Sequence, residues 1–149
     1  MTIPAFKEAL KSDQLSGAII RLAAIYEDRL SFMLAFYFAK KSTLSELNNL
    51  VIDKLSLAQK LELLKAVKLG TGTKSRDNLI KSLTSLKKIR NHLAHSYYHA
   101  EEDELKKLYS DTFIRDLVLG FPKSLSEEKR NLETRTTKLW QIMLRGPQT

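Results

Sequence analysis

The sequence predicts an all-α protein: a single-domain helical bundle of four to six helices, with two long ones at its centre. Three observations predict this. Apolar residues recur at three- and four-residue intervals along nearly the whole chain, the spacing that lines one face of a helix. Strand-like alternation is scarce. Helix-starting and helix-stopping residues stand between the periodic stretches. The 149 residues are about the size of one domain, and no internal repeat, low-complexity tract or linker divides them. The whole of 1–149 therefore reads as one domain, with a short N-terminal helix in 1–14, a core in 15–100 and C-terminal helices in 101–145.

The first helix is expected over 4–11, "PAFKEALK", where Pro4 falls in a first turn that tolerates it. A long helix follows from about Asp13 to Lys41. Ala18, Leu22, Ile25, Arg29, Phe32, Phe36 and Ala39 make one stripe, apolar except for Arg29, and Ile19, Ala23, Tyr26, Leu30, Met33 and Tyr37 an adjoining one. So broad an apolar face suits a central helix that also meets a partner chain. A shorter helix is expected over 44–54. Ser56 and Gln59 have the spacing of a capping box and open "LAQKLELLKAVKL".

Gly70 then stops that helix, and "GTGTK" (70–74) reads as a turn. It lacks the spacing of a phosphate-binding P-loop and follows no predicted strand. The second long helix runs from about Ser75 to Tyr97 on a stripe of Leu79, Leu83, Leu86, Ile89 and Leu93. "HAEEDELKKLY" (99–109) begins another, acidic early and basic late, as the helix dipole favours. "GFP" (120–122) is a break. Ser124 with Glu127 is expected to cap the last helix, which ends at Gly146-Pro147.

Composition narrows the function classes. The chain is 43% hydrophobic and 28% charged, which argues against disorder. It has no cysteine, so disulfides, thiolate catalysis and cysteine-held metals are all excluded. A cytoplasmic setting agrees with that. The N-terminus, with Glu8 and Asp13, reads as neither signal peptide nor anchor. The longest apolar-rich stretch, 30–39, is too short to span a bilayer, so no membrane partner is expected. Twenty-five Lys and Arg against 17 Asp and Glu give a formal charge of +8. Such a field draws polyanions, RNA among them.

The functional candidates gather in "KKIRNHLAHSYYH" (87–99), which holds all three histidines of the chain. At about 100° per residue, Asn91 and His95 lie nearly one above the other. Arg90 flanks the apolar stripe, and Leu93 lies roughly opposite Asn91 and His95. Two hydrogen-bonding residues are thus expected on the face away from the packed one, solvent-exposed or lining a cleft against a second molecule.

The residue types suit phosphodiesters. Arginine presents a fork of donors that matches phosphate oxygens. Histidine moves protons near neutral pH. Asparagine orients either one, and Tyr97 offers a phenol for hydrogen bonding or base stacking, or simply packs in the core beside Leu93. Lys87, Lys88, His92 and Tyr97 are the substrate-binding candidates around this set, although His92, Tyr98 and His99 taken singly also read as structural neighbours. His92 and His95 are three apart, but nearby carboxylates such as Glu101 lie past the expected helix end, so neither a metal nor any other cofactor is expected.

"RNHLAH", on a leucine-rich helix and followed by "SY", resembles the Arg-x4-6-His signature of HEPN domains. Here it is Arg90, four residues, then His95, with Asn91 in the commonly seen asparagine position. The order "AIYEDRLSFML", "LSLAQKLELLKAVKL" and motif helix is similar as well, so the resemblance covers about 15–100. It implies a helical bundle that forms a homodimer through the motif-bearing region.

The resemblance further implies a metal-independent endoribonuclease, an RNA hydrolase of toxin–antitoxin, phage-defence or RNA-processing systems. Arg90 would hold the scissile phosphate, His95 would transfer the proton for 2′-hydroxyl attack, and Asn91 would support that geometry. Arg90-x4-His95-x-Tyr97 also resembles toxins whose antitoxin is a small nucleotidyltransferase that modifies the matching tyrosine. The N-terminal helix and Ala94 are equally similar to stand-alone members. Other members bind RNA, nucleotide or a partner protein without cleaving, and that is the alternative reading. A helical scaffold whose basic surface merely solubilises it is a third.

Overall fold

A computed structural model describes residues 3–38, 44–67, 73–95 and 102–144, apart from the side chains of Leu44, Ser45 and His95. The described residues form eight α-helices and one short 3-10 helix, with no strand, so the all-α class holds. The helices are α1 (Ile3–Leu10), α2 (Asp13–Phe38), α3 (Leu44–Leu50), α4 (Leu57–Lys65), α5 (Thr73–His95), α6 (Glu102–Ser110), α7 (Thr112–Leu119) and α8 (Lys123–Leu144); the 3-10 turn is Ile52–Lys54. Three helices are long: α8 as well as the two expected ones. None of the described helices is long and apolar enough to cross a membrane.

The eight α-helices exceed four to six: the expected segments already number seven, and the one that begins with α6 is divided in two. The expected 44–54 helix ends at Leu50 and resumes as the 3-10 turn. Downstream of α6, Asp111 starts a separate helix that periodicity alone did not separate. Its carboxylate accepts the Ile114 amide at 3.3 Å, an N-cap that fixes the start of α7. The other carboxylate oxygen accepts the Ser85 hydroxyl at 3.0 Å, tying α7 to α5. Asp111→Ala is expected to lose about 1 kcal/mol of stability from the cap alone, read as a lower midpoint in urea.

The expected cap at Ser124 does not form. α8 opens one residue earlier, at Lys123, and the Ser124 hydroxyl donates to the Leu117 carbonyl across the turn. That turn explains Gly120. A Cβ there would meet the Asp116 carbonyl at 2.9 Å and Ser124 Cβ at 3.0 Å. Gly120→Ala should therefore destabilise by roughly 1–3 kcal/mol, the usual range for overpacking, by thermal melt. The helix opened by Ser56 ends at Lys65 with Ala66 as its C-cap, short of the expected stop at Gly70. The part of the expected 70–74 turn before Thr73, the end of the long helix at 39–41 and the stop at Gly146-Pro147 lie outside the described residues.

The chain separates into two compact units, Met1–Ala24 with Ser82–Asn131, and Ile25–Lys81 with Leu132–Thr149; the divisions fall within α2, α5 and α8. In the first, α1 packs on α6 and α7. Phe6 is fully buried there, its ring edge-on to Tyr109 at 5.5 Å. Leu15, Ile19, Leu83, Leu86, Ile89, Leu105, Leu108 and Ile114 are buried residues of the same unit.

In the second unit, the Ser56 capping box forms as expected: Ser56 Oγ accepts from the Gln59 amide, and Gln59 Oε1 accepts from the Ser56 amide. The far end of α4 is satisfied by Arg76 of α5, which donates to the Lys65 and Val67 carbonyls at 3.1 and 2.7 Å. Lys60 is 2% exposed and pairs with Glu27 of α2 at 3.4 Å.

Of the two stripes on α2, the second is the more fully packed, although Leu22 of the first is buried too. Ile19, Ala23, Tyr26, Leu30 and Met33 are buried, whereas Ile25 is 37% and Phe32 48% exposed. Arg29, the one charge in the first stripe, belongs to that outer face.

Candidate functional site

The last three turns of α5 place the candidate residues. Leu83, Leu86 and Ile89 anchor this end of the helix in the first unit's core, which turns Lys88 and Asn91 outward. His92 follows one residue on and is only 6% exposed. Its Nδ1 lies 3.0 Å from Glu104 Oε1 on α6. This contact fixes the imidazole ring, since a buried polar group needs a partner. Glu104 stands in the first turn of α6, where the helix dipole also favours a carboxylate.

Between the two helices is a cleft of about 640 Å³. Lys88, Asn91 and His92 line it from α5; Glu104, Lys107 and Ser110 line it from α6, over Leu108. The face holding Asn91 therefore looks onto α6 of the same chain across this cleft. The His92–Glu104 hydrogen bond joins the two helices at one end of it.

Arg90 is half-buried and does not itself line the cleft. It meets the cleft through Asn91, whose Oδ1 accepts from Nη2 at 3.1 Å and Nε at 3.4 Å. With its oxygen so engaged, the Asn91 carboxamide has its two N–H donors to offer. Two ammonium groups, Lys88 and Lys107, face one carboxylate, Glu104, so the lining carries a formal excess of one positive charge. Such a lining can hold an anion and orient it by hydrogen bonds.

Of the sequence candidates, the cleft brings together Asn91, His92 and Lys88, with Arg90 attached. Lys87 is half-buried and outside the lining. His95 is the last residue of α5, one turn beyond Asn91, but its side chain lies outside the described residues, as do Tyr97, Tyr98 and His99. Glu104, Lys107 and Ser110 were not anticipated. Their three-residue spacing, on a helix whose Leu105 and Leu108 mark the packed face, was the available signal. Among the described residues, no group of three or more His, Asp or Glu could hold a metal ion.

Comparison of the chain with protein-family models, curated proteins and solved structures finds no match.

Proposed function

We propose that this protein is a HEPN-type, metal-independent endoribonuclease of the cytoplasm, working as a homodimer through its motif-bearing region. The observation that carries the reading is the Arg90–Asn91 hydrogen bond at the wall of a cationic cleft. It couples the guanidinium of the Arg-x4-His motif to a side chain that lines a ligand-sized space.

In this reading Arg90 holds the scissile phosphate and stabilises the charge that grows on it. Asn91 keeps the guanidinium plane in place and adds donors of its own. Lys88 and Lys107 hold flanking phosphates, and His92, fixed by Glu104, shapes the wall. His95 takes the proton of the ribose 2′-hydroxyl as its oxygen bonds to phosphorus. The bond from phosphorus to the 5′-oxygen breaks, and that oxygen leaves with a proton. The products are a 2′,3′-cyclic phosphate and a 5′-hydroxyl. A nucleotidyltransferase antitoxin acting on Tyr97 belongs to the same reading.

The test is labelled single-stranded RNA incubated with purified protein in chelator. Cleavage that is lost in His95→Ala is the expected result. RNA retention that falls with salt, without scission, would instead assign the non-catalytic binding module. In that case Arg90→Ala should weaken retention more than His95→Ala does.

A further inference from the structure

The second unit holds a pocket of a different character, sharing no residue with the cleft. Its volume is about 500 Å³, within the range of small-molecule sites. Phe32 and Met33 of α2 and Trp140 of α8 form its walls. The Phe32 ring lies 5.8 Å from Trp140 at a 35° tilt, and Phe36 backs the indole at 4.8 Å. Phe32 is nearly half exposed, a large aromatic surface left to water beside a concave space.

The rim is acidic. Asp28 and Glu133 line it with Arg29. The Arg29 guanidinium is already matched: it is ion-paired with Glu133 and lies 5.0 Å over the Tyr26 ring. The Tyr26 hydroxyl donates to the same Glu133 carboxylate at 2.9 Å. Asp28 makes no hydrogen bond or ion pair among the described residues. Two carboxylates against one guanidinium leave one negative charge over, on a chain whose formal charge is +8.

We propose that this pocket binds a small organic cation with an apolar or aromatic body. The ammonium head sits at the Asp28 rim, and the body lies on Phe32 and Trp140. Aromatic faces attract a cation through their quadrupole, and a carboxylate at the rim adds to that attraction. The surplus charge has the wrong sign for RNA or any other phosphate ligand.

Trp140 is the one tryptophan of the chain, so its emission reports on the pocket directly. The experiment titrates the full chain with benzyltrimethylammonium, and in parallel with benzenesulfonate as the anion of similar size. A saturable change in emission is expected, with a dissociation constant on the order of a millimolar or tighter. Asp28→Asn and Phe32→Ala should each weaken it by about threefold to tenfold. Both side chains are exposed, so the variants should keep the helical circular dichroism of the parent. No saturable response up to roughly ten times that concentration would overturn the proposal. So would equal binding of benzenesulfonate, or affinity unchanged in Asp28→Asn.

Discussion

Arg90→Ala is expected to slow RNA cleavage by about 10²–10³, the usual loss when a preorganised charge is removed from a developing one. His95→Ala should lose about 10²–10⁴, the range for a positioned proton-transfer group. Arg90→Lys should not rescue. Nε and Nη2 of the guanidinium both donate to Asn91 Oδ1, and a lysine ammonium cannot reproduce that two-point grip. Asn91→Ala, which leaves the charge but not its orientation, should fall between the parent and Arg90→Ala. Arg90 and Asn91 are only half-buried, so melting temperatures should change little. Rates from single-turnover cleavage in chelator measure all four variants.

The largest expected effect on stability is at Glu27. Lys60 is almost wholly enclosed, and Glu27 is the ion-pair partner that its ammonium has at 3.4 Å. Removing the carboxylate strands a buried charge, which typically costs about 3–5 kcal/mol. Removing the cation is different, because Glu27 is a quarter exposed and can be solvated. Glu27→Ala should therefore lower the melting temperature by on the order of 10 °C in a chain of this size. Lys60→Met, which keeps the stem and drops the charge, should be close to neutral. Equal losses in the two variants would contradict this account of the pair.

These expectations reflect what the sequence could and could not convey. Helical class was legible because the spacing of Leu79, Leu83, Leu86 and Ile89 is dictated by burial, and all four are buried. The Ser56–Gln59 box was legible because it is a local device, complete within four residues. The Asp111 cap is just as local and was overlooked, whereas its tie to Ser85, 26 residues away, was not legible. Nor could periodicity decide which stripe of α2 faces inward: both are apolar, and only Arg29 distinguished them. At the site, Arg90, Asn91 and His92 were readable as chemistry. Glu104 was not, because a carboxylate in a first helical turn already has a local explanation in the dipole. Its pairing with His92 is tertiary, between residues 12 apart on different helices.

The central claim is that Arg90 and His95 drive attack by a ribose 2′-hydroxyl on the adjacent phosphate. The most direct measurement is end-group analysis of RNA cut in chelator, beside a substrate carrying one 2′-deoxynucleotide at the preferred bond. The account predicts 2′,3′-cyclic phosphate and 5′-hydroxyl ends, with cutting abolished at the deoxy position alone. Ends bearing 3′-hydroxyl and 5′-phosphate, or scission that proceeds through the deoxy position, would contradict it.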